Sequence, residues 1–351
     1  MVGSFTWPEV LTGLVNGEDM STEAGTWAMG EILGGNATPV QIAGFAVALS
    51  AKGETVEEIA ALADVMLGRA RTVPIDAPTV DVVGSGGDRA NTVNISTMSA
   101  IVAAAAGAKV AKHGNRAASS LCGTADCLEE LGVVIDLDPD LQQQVLDEVG
   151  IVFLFAPLYH ASLRHAAGPR RELGIRTVFN FLGPLTNPAR PVSQAIGIAD
   201  ERMAGLVAGV LAHRGVRGLV FHGTDGLDEL TTTSGSQLWL VNGGRVVRAE
   251  LDPLDLGLPR ASKTDLVGGE PAVNARIARE VLSGVTGPVR DIVLLNSAAT
   301  LLAYDGPDPD VDPAEQLRPQ IERAREVIDS GRATATLDLW IAATRRLAGR
   351  D

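Results

Sequence analysis

The stretch VDVVGSGGD (residues 80–88) joins a short β-branched run to a loop with three glycines. The β-branched run predicts a strand that ends at Val83. Glycines let successive backbone N–H groups turn inward, so an anion can approach the main chain closely. A loop of this kind after a strand is where open parallel sheets bind phosphate. The loop alone also fits a tight turn without a ligand, and it matches neither the P-loop nor the G-x-G-x-x-G pattern.

Strand and helix signals alternate along the rest of the chain. The predicted strands are 80–83, 109–111, 151–155, 195–198 and 219–221, and the predicted helices between them are 97–106, 125–131, 139–149 and 202–214. This alternation predicts an open parallel sheet with helices on both faces. Residues 237–241 and 246–251, joined by the turn Asn242-Gly243-Gly244, predict an edge hairpin, and two helices broken at Gly331 are predicted between residues 313 and 349.

The residues before Val80 carry helix signals only. Pro8 begins the first of four predicted helices, and Thr38 and Thr55 each begin a capping box that starts a later one. We therefore expect a small all-helical N-terminal domain over residues 1–72, with helices from about 158–190 packing on it. Residues 73–351 are expected to form a large α/β domain with a mostly parallel central sheet.

The charge balance limits the partners of the chain. Its 351 residues carry a formal net charge of −14. A uniformly acidic surface repels nucleic acid and anionic membranes, so we expect neither as a partner. The same surface repels phosphorylated substrates, so an enzyme that acts on one needs a local positive site.

Cysteine usage and hydropathy indicate a reducing compartment. The only cysteines are Cys122 and Cys127, which are too few for a disulfide framework and lack the paired spacing of a zinc site. The sequence begins without a basic segment followed by an apolar one, and the apolar run 100–106 is far shorter than the ~20 residues of a membrane span. The expected location is the cytoplasm.

Two further polar segments lie close to predicted strands. Ser96 is placed at the start of a helix, where it can act as an N-cap or can ligate Mg²⁺ beside a bound phosphate. The run Lys112 to Ser120 gathers basic, amide and hydroxyl side chains around Gly114. Such a run is often a solvated face, but the glycine, the serines and the following helix favour an anion cradle.

Acidic and arginine-rich segments follow. Asp228 and Glu229, in the run 225–229, predict either an acidic surface turn or a ligand pair for Mg²⁺. Residues 160–187 include Arg170 and several other arginines, and arginine suits bidentate recognition of a carboxylate. The spacing of His160 and His165 is poor for a shared metal on a helix, so we expect no zinc there.

Taken together, these motifs resemble those of the anthranilate phosphoribosyltransferase family, and the likeness covers nearly the whole chain. The matching segments are 52–55, 84–88, 112–120, 171–174, 180–188, 225–229, 268–269, 274–275 and 328–331. Ser85 stands where the family usually has threonine, and Gly168-Pro169 precedes Arg170 where Pro then Val is more common.

The resemblance implies specific site residues. Those implied for phosphoribosyl pyrophosphate are Gly84, Gly87, Asp88, Thr92, Asn94, Ser96, Thr97, Lys112, His113, Gly114, Asn115, Arg116, Ala117, Ala118, Ser119, Ser120 and Thr124. Those implied for anthranilate are Asn115 and Arg170, with Gly84, His113, His160 and Gly183 lining its path. Two Mg²⁺ ions are implied, one on Ser96 and one on Asp228 with Glu229.

The implied activity is transfer of the 5-phosphoribosyl group to the amino group of anthranilate, a step of tryptophan biosynthesis from chorismate, by a homodimer. The products are N-(5-phosphoribosyl)anthranilate and pyrophosphate, and no residue is expected to serve as a dedicated general base. One alternative is a nucleoside phosphorylase-like enzyme. Another is a non-catalytic relative that binds nucleic acid, which the charge of −14 and the pair Asp228-Glu229 disfavour.

Overall fold

Four helices form the N-terminal part of the chain, in a computed structural model that describes residues 5–117 and 120–350. They are α1 (Trp7–Val15), α2 (Thr22–Gly34), α3 (Pro39–Lys52) and α4 (Val56–Gly68). Both predicted capping boxes are present: Thr38 caps α3 with Gln41, and Thr55 caps α4 with Glu58. Each box satisfies backbone N–H groups that the first turn of a helix leaves without partners.

A seven-stranded sheet follows. Its strands are β1 (Val80–Gly84), β2 (Val110–Gly114), β3 (Ile151–Phe155), β4 (Ser193–Gly197), β5 (Arg217–Gly223), β6 (Ser236–Asn242) and β7 (Arg245–Leu251). They lie in the order β3-β2-β1-β4-β5-β6-β7. The first five strands are parallel, and β6 and β7 form the predicted antiparallel hairpin at one edge.

Further helices of the described residues lie between and after the strands along the chain. They are α5 (Ile95–Ala105), α6 (Thr124–Leu131), α7 (Gln142–Val149), α8 (Ala156–Tyr159), α9 (Arg164–Leu173), α10 (Glu201–His213), α11 (Pro271–Leu282), α12 (Pro288–Asp305), α13 (Pro313–Asp329) and α14 (Arg332–Leu347). Across the described ranges, no helix combines the length and apolarity that a membrane crossing needs.

The two faces of the sheet pack into separate cores. Val82 and Leu219 lie in a core with α5, α12, α13 and α14, whereas Ile196 and Val220 lie in the core that contains α10 and the four N-terminal helices. Alternate residues of a strand point to opposite faces, so these β-branched strands must be apolar on both sides. The second core also includes Phe179 and other apolar side chains of residues 166–185.

The fold class predicted from the sequence is confirmed: a helical N-terminal part and an α/β part with a mostly parallel sheet. Several element boundaries differ by one to three residues: β4 spans Ser193–Gly197 where 195–198 was predicted, and β5 spans Arg217–Gly223 where 219–221 was predicted. The helix predicted from Thr97 begins at Ile95, and the one predicted over 139–149 starts with a 3₁₀ turn, Pro139–Leu141, before α7. No sequence signal predicted α11 or α12. The division of the chain at residues 72 and 73 stays a prediction.

Candidate active site

The glycine loop lies at the point where the strand order reverses. From β1 the chain moves outward through β2 and β3, then returns to place β4 on the other side of β1. The crevice beyond the carboxyl ends of such a strand pair is where open α/β sheets bind ligands. The loop is cross-linked to the chain after β4 through Ser85, whose hydroxyl oxygen accepts the Ala199 N–H at 3.1 Å.

Asp228 closes this crevice from the turn that follows β5. Its Oδ2 accepts the Gly86 N–H at 2.6 Å. A Cβ atom on Gly84 would lie 2.3 Å from that same oxygen, and one on Gly197 would lie 1.7 Å from the Asp228 carbonyl oxygen. The carboxyl ends of β1 and β4 therefore require glycine, because the turn that carries Asp228 and Glu229, called the acidic turn below, packs directly on their backbones.

Two buried carboxylates follow one another in this turn. Asp228 and Glu229 are each 8% exposed. Burial, together with the charge of Asp88, raises the pKa of Asp228 to about 7. Burial, together with the charge of Asp228, raises the pKa of Glu229 well above its usual value. Two buried carboxylates in adjacent residues are stabilised when one of them binds a proton or when the pair binds a cation.

The donor set fits Mg²⁺ better than a closed metal centre. Within residues 5–117 and 120–350, no group of three or more His, Cys, Asp or Glu side chains has the geometry to hold a metal ion. Mg²⁺ keeps several waters and is usually bound through one or two carboxylates plus substrate phosphates. Asp228 and Glu229 supply two such carboxylates beside a loop suited to phosphate.

The first turn of α5 meets the same carboxylates. Asn94 is the N-cap of this helix, and Ser96 lies in its first turn, where its backbone partly opposes the rise in the pKa of Glu229. Thr97 is 1% exposed, and its hydroxyl has no partner among the described residues. The positive end of the helix thus points at the acidic turn.

Lys112 lies inside the protein, beneath the crevice. It is 2% exposed, and its Nζ donates to the Val82 carbonyl oxygen at 2.5 Å. Burial lowers the pKa of Lys112, while the charges of Asp81, Glu229 and Asp228 oppose that change. In this structure Lys112 acts as the internal counter-charge of the acidic groups.

Arg116 is engaged by acidic side chains of α6. Its Nη1 donates to Asp126 at 2.8 Å and to Glu129 at 2.5 Å, and its guanidinium lies 5.4 Å from the centre of the Phe155 ring. Asp126 also accepts the Ala117 N–H at 3.1 Å. The predicted anion cradle (112–120) is therefore held to α6 at Arg116 and Ala117 through Asp126, a carboxylate that no sequence motif indicated.

The other predicted phosphate-site residues are distributed around the crevice. Gly87 and Asp88 complete the glycine loop, Thr92 forms an isolated bridge with Val267, Gly114 ends β2, Ser120 lies before α6, and Thr124 begins α6. Ala118 and Ser119 lie outside the described residues. Asn115 accepts the Arg116 N–H through its side-chain oxygen.

Two buried histidines, His113 near the end of β2 and His160 after α8, contact each other. The rings of His113 and His160 meet edge to face at 5.2 Å. Burial, together with the neighbouring His160 ring, lowers the pKa of His113 to about 3, and burial lowers the pKa of His160. Both rings are therefore neutral near pH 7. The Gly183 carbonyl lies 3.3 Å from His113 Nδ1, and His113 Nε2 and His160 Nδ1 have no partner among the described residues.

His165 takes no part in that pair. Its ring packs on Gly35, where a Cβ atom would come within 2.9 Å of Cε1. It thus contacts the end of α2, while the His160 ring contacts His113.

Arg170 differs from the other arginines of residues 160–187 in the burial of its guanidinium. It lies on α9 with its guanidinium 5.8 Å from the centre of the Phe179 ring, and burial lowers its pKa. No acidic side chain forms an ion pair with it in the part of the chain that the structure describes. Arg176, by contrast, donates to the carbonyl oxygens of Gly87 and Ala199, so it fastens the glycine loop.

Asp81 and Asn187 support the site, although no motif predicted a role for them. Asp81 is fully buried and accepts the His113 N–H at 3.1 Å and the Asn187 amide at 2.8 Å. Asn187 also donates to the Ala111 carbonyl oxygen at 2.7 Å. A carboxylate within an otherwise apolar strand was the one sequence signal that could have indicated this role.

Fold and site together define a class of protein: an α/β protein with a helical bundle attached and, at its strand ends, a crevice of the kind in which open α/β sheets bind phosphate. The sequence model described as "glycosyl transferase family, helical bundle domain" matches residues 8–70, and the one described as "glycosyl transferase family, a/b domain" matches residues 76–334. The chain is 57% identical over 343 residues to the anthranilate phosphoribosyltransferase of Thermobifida fusca, covering 98% of each chain. It belongs to the anthranilate phosphoribosyltransferase family.

Solved structures agree with this assignment. The crystal structure of anthranilate phosphoribosyltransferase from Thermus thermophilus superposes with a TM-score of 0.88 at 40% identity, covering 96% of this chain and 99% of that one. The Saccharomyces cerevisiae enzyme, solved in complex with PRPP and Mg, superposes with a TM-score of 0.85 at 27% identity, covering 98% and 99%. Neither a nucleoside phosphorylase nor a nucleic-acid-binding relative is favoured by these matches.

Proposed function

We propose that this chain transfers the 5-phosphoribosyl group of phosphoribosyl pyrophosphate to the amino group of anthranilate, releasing pyrophosphate, as a step of tryptophan biosynthesis. One observation carries the proposal: a buried pair of carboxylates packs on a glycine loop at the strand ends, and α9 of the same chain carries a largely buried arginine without an acidic partner among the described residues. The first two suit a metal-bound pyrophosphate, and the arginine suits the carboxylate of an aromatic acid.

The phosphoribosyl side is assigned to the crevice between β1, α5 and the acidic turn. The glycine loop and the first turn of α5 offer backbone N–H groups for phosphate oxygens. Two Mg²⁺ ions are proposed, one on Ser96 and one on Asp228 with Glu229. The complex of the yeast enzyme with PRPP and Mg supports this use of the metal.

The anthranilate side is assigned to the wall that carries His113, His160, Gly183 and Arg170, with Asn115 and Gly84 nearby. The histidines are buried and neutral, so their free ring nitrogens can hydrogen-bond a polar group without adding charge. Arg170 supplies the positive charge. An aromatic ring with a carboxylate and an amine matches this combination of apolar wall, neutral ring nitrogens and one guanidinium.

The residues of the chain act by position and by electrostatics. Mg²⁺, when bound, neutralises the charge that develops on the departing pyrophosphate. Gly86 holds the Asp228 carboxylate through its N–H, and Lys112 offsets the summed acidic charge from below. The aromatic amine is neutral near pH 7, so orientation near the ribose carbon is the main requirement, and no residue needs to serve as a dedicated base.

A direct assay tests the proposal. Anthranilate is fluorescent, and its fluorescence is expected to decline when the protein, phosphoribosyl pyrophosphate and Mg²⁺ are mixed with it. EDTA should stop the decline. A protein that binds phosphoribosyl pyrophosphate by calorimetry but consumes no anthranilate would contradict the assignment of the acceptor.

Gly84→Ala is expected to lower kcat/KM about a hundredfold, the effect of displacing one preorganised electrostatic group. The added Cβ would lie 2.3 Å from Asp228 Oδ2, so the carboxylate must move. Gly168→Ala is the matched control, because a Cβ there meets no atom within 4 Å. Steady-state kinetics of both variants check the prediction, and equal activities would refute the close packing of Asp228 on the loop.

We further propose that the protein is a homodimer that uses the apolar face of α1 and α3. Val15, Val40 and Val47 are 76%, 81% and 40% exposed there, and Val40 and Val47 lie two helical turns apart. Contiguous exposed apolar residues mark interaction surfaces. The cytoplasm is the proposed location, which suits the two free, buried cysteines.

Val47→Glu is expected to weaken this dimer at least about tenfold, because a carboxylate would be buried without a partner. Mass photometry across a dilution series measures the dissociation. Val311→Glu changes a similarly exposed valine outside the proposed face and should leave the dimer intact. A wild-type particle with the 36.5 kDa mass of one chain at all concentrations would rule out the dimer.

A further inference from the structure

The segment 266–274 lies along the approach to α5, and the proposed reaction gives it no role. Leu266 accepts the Val93 N–H through its carbonyl oxygen at 3.0 Å, and the Gly268 N–H donates to the Asn91 carbonyl oxygen at 2.8 Å. This segment, called the strap below, ends on α11 at Asn274. It therefore runs beside the residues that lead into the proposed phosphate site.

Asn274 connects the strap to the N-cap of α5. It is 2% exposed. Its Nδ2 donates to Asn94 Oδ1 at 2.8 Å, and its own Oδ1 accepts the Gly269 N–H at 2.8 Å. Both ends of one buried amide are thus used, one on the strap and one on the helix that points at the acidic turn.

Asn94 in turn hydrogen-bonds to a third segment, the loop that carries Cys122. Its Nδ2 donates to the Cys122 carbonyl oxygen at 3.2 Å, and its Oδ1 accepts the Cys122 thiol at 3.3 Å. Both ends of the Asn94 amide are therefore occupied by protein groups in this structure. Cys122 lies between the predicted anion cradle and α6, so the chain of contacts spans three of the proposed site's elements.

The strap packs closely against Asn274 at Gly268. A Cβ atom on Gly268 would lie 2.6 Å from Asn274 Oδ1 and 3.0 Å from the Thr92 carbonyl oxygen. Gly268 must therefore remain without a side chain for Asn274 to reach both partners. The close approach indicates a contact of defined geometry.

We propose that Asn274 is a positioning residue for phosphoribosyl pyrophosphate, a role that rests on the proposed function. It fixes the first turn of α5 against the Cys122 loop, so that the N–H groups facing the crevice are held in place before the substrate arrives. Preorganised donors stabilise a bound anion more than donors that must reorganise. The substrate does not touch Asn274.

Asn274→Asp tests this role with minimal change in shape. The aspartate keeps an acceptor for the Gly269 N–H but has no donor for Asn94. We expect the KM and the calorimetric Kd for phosphoribosyl pyrophosphate with Mg²⁺ to rise about 10- to 100-fold, since a buried hydrogen-bond partner is lost. The KM for anthranilate should stay within about threefold. Arg276→Ala, on the exposed side of the same helix, should change neither constant.

Gly268→Ala should displace the Asn274 side chain without changing that residue. It should therefore raise the KM and Kd for phosphoribosyl pyrophosphate in the same way, which keeps the test available if Asn274→Asp folds poorly. A folded variant that binds phosphoribosyl pyrophosphate like the wild type would overturn the positioning role. So would a lower melting temperature and kcat with unchanged KM, since that pattern indicates a structural role only. If the wild type binds phosphoribosyl pyrophosphate but consumes no anthranilate, the proposed function fails while the calorimetric comparison still tests Asn274.

Discussion

Asp228→Asn is expected to lower kcat about a hundredfold or more and, at the same time, to make the metal-free protein more resistant to heat. The activity falls because one of two carboxylates proposed to hold Mg²⁺ loses its charge. The stability rises because Asp228 is 8% exposed and its charge opposes those of Asp88 and Glu229. The asparagine oxygen can still accept the Gly86 N–H, so the loop keeps its anchor.

The pH dependence of this stability difference has a defined sign. In the folded protein the pKa of Asp228 is raised from 3.8 to about 7. The folded state therefore binds more protons than the unfolded state across that window, and this group's stabilisation is lost as pH rises through about 7. The gap in melting temperature between Asp228→Asn and wild type should widen from pH 5 to pH 8 in EDTA.

Added Mg²⁺ should close that gap by stabilising the wild type alone, because the ion binds the deprotonated carboxylate. Asp255→Asn, which removes an exposed charge, should change neither activity nor the response to Mg²⁺. Thermal unfolding with and without Mg²⁺ at both pH values provides the measurement. If Asp228→Asn melts at a lower temperature than wild type at pH 8 in EDTA, the buried charge is not the source of strain.

Local sequence signals predicted much of the fold because they are themselves local causes. The capping boxes at Thr38 and Thr55 fix helix starts through contacts three residues apart. The β-branched run before Gly84 predicted β1, and the glycine loop predicted the edge of the sheet where polar groups gather. Asn242-Gly243-Gly244 predicted the hairpin of β6 and β7, because a turn with positive φ needs such residues.

The helix α12 shows why other parts escaped prediction. It is buried on nearly every side, with Ile292, Leu295 and Ala299 fully buried, because it packs against both the sheet and the helices α5 and α13. A helix surrounded by protein has no polar face, so its sequence lacks the 3.6-residue alternation on which helix prediction depends. Its identity is fixed by neighbours that are distant in sequence.

The same limit applies to the site. The sequence placed Lys112 and Arg116 together as basic groups for a phosphate, yet in this structure Lys112 donates to Val82 and Arg116 pairs with Asp126 and Glu129. A motif shows which side chains are available, but their partners depend on how strands and helices pack. The proposed roles of both residues in binding phosphoribosyl pyrophosphate therefore require these contacts to rearrange or to act through the backbone.

Arg170→Ala is expected to raise the KM for anthranilate about a hundredfold with little change in the KM for phosphoribosyl pyrophosphate. A charge-assisted pair between guanidinium and carboxylate is among the strongest polar contacts available, and Arg170 has no acidic partner of its own in the described chain. Arg171→Ala is the matched control, since the neighbouring arginine is exposed to solvent. Steady-state kinetics with each substrate varied in turn separates the two KM values.

Anthranilamide, the neutral amide of the same shape, shows whether the charge is what Arg170 recognises. Wild-type protein should bind anthranilate far more tightly than anthranilamide, and the ratio of the two binding constants should fall toward one in Arg170→Ala. The neutral His113 and His160 cannot supply that discrimination, because neither ring is charged at pH 7. A ratio that survives the substitution would move carboxylate recognition to another residue of the crevice wall, and Asn115 would be the next to test.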